Sequence, residues 1–235
     1  MGKVVSIVNS QDAVGKSTSA WYLAQSLSET GSKVLLIDCD PLSALASRIG
    51  DNAKSHVHEL LLGKVTAAEC ITEMTSTVHL IAGSSDMLAF EIAGTAGEAY
   101  ALRLSDSIKP VVDDYDYIVI DTPSSPGRLT VNALAASDSV LVPVCCDYFG
   151  MESVSEVMST IARVRATYNA RLQVAGMFIT RYDTSLRSTS RNLKELTDLF
   201  GNVLMDTIIR ESDDPKADYA HLTQELLHKK TLLDT

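Results

Sequence analysis

The sequence contains no run of about 18 apolar residues, so it predicts no membrane-spanning helix. It enters an apolar strand pattern directly, without the basic segment, apolar segment and cleavage site of a secretion signal, so we expect no such signal. No Cys-x-x-Cys pair occurs among the four cysteines. We therefore expect reduced, mostly buried thiols in a cytoplasmic protein, rather than disulfides or a cysteine-bound cluster. The four are Cys39, Cys70, Cys145 and Cys146.

Basic residues are also few, since 20 Lys and Arg stand against 30 Asp and Glu, for a net charge of −10. The window from Arg163 to Lys194 is the exception. It has seven basic residues and one acidic residue, Asp183, so its net charge is +6 and that of the remainder is −16. An acidic protein with one basic face can bind a polyanion there, although ordinary solvated helix faces would give the same pattern. The seven are Arg163, Arg165, Arg171, Arg181, Arg187, Arg191 and Lys194.

Near-continuous apolar strands alternate with helical patterns along all 235 residues. The predicted strands are Lys3–Asn9, Lys33–Asp38, Thr77–Ile81, Tyr117–Ile120, Ser139–Cys145, Leu172–Thr180 and Val203–Ile209. The predicted helical segments are Ser17–Thr30, Leu42–Leu62 with a second short helix ending before Gly63, Met87–Ala93, Tyr100–Val112, Leu129–Ala136, Met151–Tyr168, Leu186–Phe200 and Ala217–His228. This alternation predicts an α/β fold, a doubly wound and mainly parallel sheet with helices on both faces. No repeat or linker interrupts it, so we expect one domain spanning residues 1–235.

The segment Gln11-Asp12-Ala13-Val14-Gly15-Lys16-Ser17-Thr18 lies between the first strand and the first helix. A helix N-terminus that follows a strand offers converging backbone N–H groups and a favourable dipole for a phosphate. Lys16 would reach the β- and γ-phosphates, and the Ser17 hydroxyl would ligate Mg²⁺. The usual pattern has glycine six residues before the lysine, where this chain has Ser10. The segment therefore predicts a phosphate-binding loop with one intact half.

Three carboxylates occur at predicted strand ends. Asp38 and Asp40 follow the second strand, and Asp121 ends the strand that begins near Tyr117. Such residues are often only caps or turn residues. Beside a phosphate loop, however, one carboxylate can hold the hydration shell of Mg²⁺ and another can orient an attacking water. The ends of parallel strands are also where α/β sheets bind their ligands.

The chain resembles the ParA/MinD family of deviant Walker ATPases over nearly its whole length. The segments that carry the resemblance are Val14-Gly15-Lys16-Ser17-Thr18, Asp38-Cys39-Asp40-Pro41, Asp116-Tyr117-Ile118-Val119-Ile120-Asp121-Thr122-Pro123, Leu129–Asp138, Val142-Pro143-Val144 and Asp147-Tyr148-Phe149. Together they are far more specific than the loop alone.

The resemblance implies a P-loop NTPase fold and an ATP-dependent homodimer with two nucleotides sandwiched between the subunits. It implies weak Mg²⁺-dependent ATPase activity stimulated by an adaptor protein of ParB or McdB type, nonspecific binding to nucleoid DNA, and positioning of a large cargo. Lys16, Asp40 and Asp38 would then be catalytic, with Ser17, Asp38 and Asp121 at the metal. The residues expected to bind the nucleotide are Asp12, Ala13, Val14, Gly15, Lys16, Ser17, Thr18, Asp121, Pro123, Arg181 and Pro215. Those expected to contact DNA are Arg163, Arg165, Arg187, Arg191 and Lys194.

The loop departs from the family pattern Lys-Gly-Gly-Val-Gly-Lys, whose first lysine crosses the dimer to the partner's phosphates. Here Gln11, Asp12 and Ala13 replace the first three residues, and Leu42 replaces the glutamine that usually follows Asp-Pro. Asp12 would place a carboxylate near a triphosphate, which is unfavourable by several kcal/mol, to order of magnitude, if the contact is dry. Either the dimer forms differently, or Asp12 points outward, or hydrolysis is lost. Carboxysome-positioning members of McdA type also lack the first lysine.

Other functions remain open at this point. A membrane-associated division regulator of MinD type would need a basic amphipathic C-terminal helix, whereas residues 222–235 contain only Lys229 and Lys230 as basic residues. A small-molecule transferase or reductase of the same superfamily is a further alternative, and the reductases would need cluster cysteines. An ATP-binding scaffold without turnover would explain Gln11 and Asp12.

Overall fold

The computed structural model describes residues 2–48, 52–92 and 98–229. The strands are β1 Lys3–Ile7, β2 Val34–Asp38, β3 Thr72–Glu73, β4 Val78–Ile81, β5 Tyr117–Asp121, β6 Ser139–Cys145, β7 Gln173–Tyr182 and β8 Leu204–Arg210. The helices are α1 Lys16–Glu29, α2 Val57–Leu61, α3 Ala67–Cys70, α4 Met87–Ile92, α5 Glu98–Ala101, α6 Arg103–Ile108, α7 Arg128–Ala136, α8 Tyr148–Thr167, α9 Arg187–Phe200 and α10 Lys216–His228.

The strands form one sheet in the order β3-β4-β2-β5-β1-β6-β7-β8, in which every neighbouring pair is parallel except β3–β4. The strand order reverses around β1, and a crevice forms at such a point beyond the carboxyl ends of the strands. The register places Asp38 of β2 opposite Asp121 of β5, and Ile7 of β1 opposite Asp121 on its other side. Three strand ends therefore meet at the start of the predicted phosphate loop.

Helices cover both faces of the sheet because its strands are apolar on both sides. On one face, α1 and α10 pack through residues such as Leu23 and Leu222 against strand residues such as Ile7. On the other face, α2, α4, α6 and α7 cover one half of the sheet and α8 and α9 the other. The predicted doubly wound α/β fold is confirmed.

The predicted helical stretch Leu42–Leu62 is wrong in its first part. The described residues there form turns and a 3-10 turn at Ala46–Arg48, and the regular helix is α2. The cause is the buried Asp38 carboxylate, which accepts hydrogen bonds from the backbone N–H groups of Leu45 and Ala46 and so holds this segment as a loop. Residues 49–51 of that prediction lie outside the described residues.

Smaller differences concern short elements. The predicted helix Tyr100–Val112 is divided into α5, α6 and a 3-10 helix at Lys109–Asp114 that has Pro110 near its start, where a proline is tolerated. The antiparallel edge strand β3 was not predicted, because two residues are too few to show a period. The predicted end of α4 at Ala93 lies outside the described residues.

All four cysteines are buried and unpaired, as predicted. Burial raises the pKa of each thiol, so they stay protonated near neutral pH. No helix in the described part of the chain has the length and apolarity to cross a membrane.

Candidate functional site

The loop between β1 and α1 wraps tightly before the helix begins at Lys16. Gly15, the residue before α1, has φ 87°, and Ala13 has φ 57°. The left-handed region is open to glycine but costs other residues about 1–2 kcal/mol, so Ala13 holds strained backbone where the family has glycine. Val14 is buried, and its carbonyl accepts a hydrogen bond from the Thr180 hydroxyl at 2.8 Å. The loop thus keeps the shape of a phosphate cradle with only one of its three usual glycines, Gly15.

Lys16 is only 6% exposed and lies inside this loop. Its Nζ donates to the Gln11 carbonyl at 3.0 Å and to Ser124 Oγ at 2.6 Å. Burial lowers the pKa of Lys16, and the nearby carboxylates of Asp121 and Asp40 oppose that shift. The ammonium group is therefore held at the centre of the loop, as a phosphate-contacting lysine requires.

Asp121 is fully buried, and neither of its carboxylate oxygens has a partner in hydrogen-bond geometry among the described residues. Burial and the neighbouring charge of Asp38 raise the pKa of Asp121 well above its ordinary value. The Ser17 hydroxyl lies near enough to oppose this shift without reaching hydrogen-bond geometry. A buried unpartnered carboxylate is costly unless a cation or donor completes it. Asp121 and Ser17 are oxygen ligands of the kind that Mg²⁺ prefers, so the site fits that ion.

Asp38, the third residue predicted at the metal, accepts hydrogen bonds from the local backbone. Its oxygens accept N–H hydrogen bonds from Asp40 at 3.1 Å, Leu45 at 3.1 Å and Ala46 at 3.3 Å. Burial raises the pKa of Asp38 to about 7, although these three donors oppose the shift. Asp38 thereby fixes the loop that carries Asp40, whose side chain reaches the cleft beside Lys16. The carboxylates predicted from the strand ends do come together.

The Gln11 side chain forms its hydrogen bond within its own subunit. Its Nε2 donates to Asp147 Oδ2 at 3.1 Å, while Asp147 Oδ1 accepts from the Gly150 N–H at 2.8 Å and caps α8. Gln11 Oε1 is buried without a partner. The side chain at the position of the family's crossing lysine therefore points to α8, and it carries no charge.

Arg181 supplies a cation to the same loop from the end of β7. Its Nη1 donates to the Ala13 carbonyl at 3.0 Å, and its Nε pairs with Glu211 at 3.2 Å. The ion pair with Glu211 raises the pKa of Arg181 further. Its backbone φ of 50° is unusual for a residue with a side chain, and such strain concentrates at functional sites. Among the seven basic residues of the window, Arg181 therefore lies at the nucleotide cleft.

A cleft of about 480 Å³ lies beside Lys16, Asp40 and Arg181, and its size is typical of a small-molecule site. The structure brings to it most of the residues predicted to bind nucleotide, namely Asp12, Ala13, Gly15, Lys16, Ser17, Thr18, Arg181 and Pro215. Asp12 and Thr18 are exposed there. Asp121 lies beneath the cleft, Val14 contributes only its backbone, and Pro123 lines a narrow adjacent crevice instead.

The sequence did not single out several residues of the cleft. Ser124, the hydrogen-bond partner of Lys16, follows the Asp121-Thr122-Pro123 segment and could have been found from its place after a strand end. Others come from segments far apart in the chain, and only the fold unites them. They are Ala44, Thr180, Ile209, Glu211, Ser212 and Tyr219.

Among the residues predicted to bind DNA, Arg163 and Arg191 lie far apart in the structure. Asn192 of α9 donates to the Cys146 carbonyl, just before α8 begins, so Arg191 lies near that end of α8. Arg163 lies about 24 Å further along the α8 axis at 1.5 Å per residue. Arg165 is exposed near Arg163, and Lys194 is exposed near Arg191. Arg187 begins α9, and its side chain lies outside the described structure.

The chain is similar to known proteins over most of its length. The profile of a family described as an AAA domain matches residues 2–174. The chromosome-partitioning ATPase Soj of Treponema pallidum is 35% identical over 89% of this chain and 83% of its own length. The chromosome partitioning protein ParA of Myxococcus xanthus is 32% identical over 89% of this chain and 75% of its own.

Solved structures are also similar to this chain over most of its length. Cobyrinic acid a,c-diamide synthase from Mycobacterium smegmatis, with bound ATP analog and magnesium, has a TM-score of 0.88 and 26% identity over 97% of this chain and 95% of its own. A variant of Cyanothece McdA in complex with ATP has a TM-score of 0.85 over 99% of this chain and 96% of its own, and at 20% identity it shows the shared fold. From the identity to Soj and ParA and from the matching loop and strand-end residues, this chain belongs to the ParA/Soj family of partitioning ATPases.

Proposed function

We propose that this chain is a Mg²⁺-dependent ATPase that dimerises with ATP, binds nonspecific DNA in that state and positions a large cargo. The observation that carries the proposal is the unpartnered, buried Asp121 carboxylate beside Ser17 and beneath the Lys16 loop. Relatives named partitioning ATPases, and a related synthase solved with an ATP analog and magnesium, support the same nucleotide. Steady-state phosphate release with and without Mg²⁺ tests the activity, and an absence of release would favour an ATP-binding scaffold without turnover.

The cleft explains a requirement for Mg²⁺. It is lined by the cations Lys16 and Arg181 and by the carboxylates Asp12, Asp40 and Glu211. A triphosphate alone would add negative charge to a site that already has more carboxylates than cations. Mg²⁺, held by Ser17 and Asp121, would neutralise phosphate oxygens and polarise the γ-phosphate. Lys16 and the N–H groups at the start of α1 would hold the phosphates in place.

Asp40 is the residue proposed to orient the attacking water, since it reaches the cleft on a loop fixed by Asp38. We expect Asp40→Ala to bind ATP normally but to hydrolyse it at about one tenth of the native rate or below, because the carboxylate acts mainly in the transition state. Binding calorimetry and phosphate release measure the two effects. Asp198→Ala, which removes an exposed carboxylate of α9, is the control. Normal turnover in the Asp40 variant would move the role to Asp38.

Arg181 is proposed to supply the positive charge that Gln11 does not. We expect Arg181→Gln to weaken ATP binding by about tenfold, or about 1.4 kcal/mol, with partial recovery in Arg181→Lys. Glu211→Gln is the matched control, since it breaks the same ion pair but keeps the arginine. Its ATP affinity should stay equal or rise. An equal loss of ATP affinity in both variants would show that the ion pair shapes the cleft and that Arg181 makes no direct contribution to ATP binding.

The basic residues of α9 are the proposed DNA contacts, because Arg191 and Lys194 are exposed on the helix that Arg187 begins. In the presence of ATP, we expect Arg191→Glu to lower DNA affinity several-fold and to flatten the slope of log affinity against log salt by about one. Arg171→Glu makes the same charge change at an exposed turn before β7 and is the control. Equal DNA binding by both variants would show that Arg191 is an ordinary solvated residue and does not contact DNA.

The proposed setting is a cytoplasmic, nucleoid-associated protein with an adaptor of ParB or McdB type. The cargo would be a plasmid, a chromosome or a carboxysome. A carboxysome is supported by the fold shared with McdA and by the absence of the first lysine from the loop. DNA as cargo is supported by the relatives that are named partitioning proteins. A DNA shift assay with and without ATP separates this function from a membrane-associated division regulator.

A further inference from the structure

A second cleft of about 490 Å³ lies between α7 and α8, beside α5. It is as large as the nucleotide cleft, and the two share no lining residue. Among the described residues that line it there is no aspartate or glutamate, although the chain as a whole is acidic. Its polar and aromatic lining consists mainly of Tyr100, Arg128, Thr160, Arg163, Thr167 and Tyr168. The cleft is thus a cationic site with aromatic walls.

Arg128 is the unusual member of this lining. Its Nη1 is inaccessible to solvent and has no hydrogen-bond partner in the described structure. The guanidinium lies over the Tyr100 ring at 5.6 Å, and Arg103 lies over the same ring at 5.7 Å. An inaccessible guanidinium nitrogen without an acceptor is unfavourable, so the Arg128 guanidinium is incompletely satisfied in the described structure.

The arginines of this region also lack ion pairs within the described part of the chain. Arg103, Arg128 and Arg163 form no ion pair with any described residue, and Arg163 donates only to the Thr160 hydroxyl, at 3.3 Å. Two guanidinium groups on neighbouring helices can bind the two oxygens of one carboxylate, phosphate or sulfonate. The Tyr168 ring beside them suits a flat apolar body, whereas the Tyr100 ring is already stacked on Phe90 at 4.7 Å.

We propose that this cleft is a second ligand site, which binds an organic anion that carries an aromatic or apolar body. Arg128 and Arg163 hold the anionic group, and Tyr168 packs against the body. The anion is either a free acid or an acidic side chain next to an aromatic one in a polypeptide. The cleft also reaches Pro126 and Gly127, which follow the segment carrying Asp121 and Ser124. An occupant therefore contacts the same loop that serves the nucleotide site.

The test uses 8-anilinonaphthalene-1-sulfonate, a fluorescent aromatic sulfonate, as the probe. We expect it to bind the full chain at one site that ATP does not compete for. Its dissociation constant should rise about tenfold in Arg128→Gln and in Arg163→Gln, as loss of about 1.4 kcal/mol gives. Arg165→Gln, an exposed arginine of the same helix outside the cleft, is the matched control and should bind like the native chain.

Thr167→Glu keeps both arginines and places a carboxylate in the cleft, so it should abolish probe binding while the protein remains folded by circular dichroism. Displacement of the probe by benzoate indicates a free acid. Displacement only by a peptide with adjacent glutamate and phenylalanine indicates a polypeptide ligand. Absence of probe binding, displacement of the probe by ATP, or equal affinity in the Arg128, Arg163 and Arg165 variants would overturn the proposal.

Discussion

Replacing Lys16 by alanine is expected to lower the affinity for Mg²⁺-ATP by about 100-fold, or about 2.7 kcal/mol. The ammonium group is buried in the loop, and its present partners are a carbonyl and a hydroxyl rather than a carboxylate. Its charge is therefore available to the phosphates. Isothermal titration calorimetry measures the loss directly.

Thermal unfolding gives a second measurement of the Lys16 effect. ATP at 100 times its dissociation constant stabilises a protein by about 2.7 kcal/mol, and a 100-fold weaker complex at the same concentration gives only about 0.4 kcal/mol. Lys64→Ala, an exposed lysine after α2, is the control and should keep the full stabilisation. Unchanged ATP affinity in Lys16→Ala would show that the phosphate site lies elsewhere.

Replacing Asp121 by asparagine is expected to have opposite effects on the free and the liganded protein. Because the pKa of Asp121 is raised in the folded state, the neutral form favours folding. Its contribution to stability is complete below the ordinary pKa and is lost as the pH rises through the raised pKa. Asparagine cannot ionise. The metal-free variant should therefore match the native chain below the ordinary carboxyl pKa, near pH 3, and exceed it increasingly as the pH rises toward the raised pKa, by more than about 1 kcal/mol.

In the presence of Mg²⁺-ATP the order should reverse, because the variant has lost a carboxylate ligand of the ion. Melting temperatures across pH, with and without Mg²⁺-ATP, measure both effects. For a chain of this size, about 1 kcal/mol corresponds to roughly 2–4 °C. Glu195→Gln, which alters an exposed carboxylate of α9, should change neither. A variant that is less stable at every pH, or that keeps its stabilisation by Mg²⁺-ATP, would exclude Asp121 from the metal site.

The sequence predicted the site best where one short segment carries both the structure and the chemistry. Lys16 and Ser17 follow a strand and open a helix, and Asp38 and Asp121 end apolar strands, so alternation alone places them at one edge of the sheet. The loop after Asp38 was predicted poorly, because its shape depends on a buried carboxylate that accepts N–H groups seven and eight residues later. No local periodicity reports such a bond.

Arg181 shows the other limit of prediction. Charge counted in its own segment makes it one member of a basic window, and only the family resemblance assigned it to the nucleotide. The fold places it on the Ala13 carbonyl, 168 residues away. The same fold separates Arg163 from Arg191 and sets Arg163 beside Arg128 in another cleft. Charge counted along the chain measures how much charge a segment holds. Which surface receives that charge depends on strand order.

The altered loop, with Gln11 and Arg181, is expected still to support an ATP-driven dimer. Sedimentation velocity at tens of micromolar protein, with Mg²⁺ and either ATP or ADP, tests it most directly, and the Asp40→Ala variant keeps the ATP intact during the run. We expect a dimer with ATP and a monomer with ADP. A strict monomer in both nucleotides would contradict the sandwich and favour an ATP-binding scaffold.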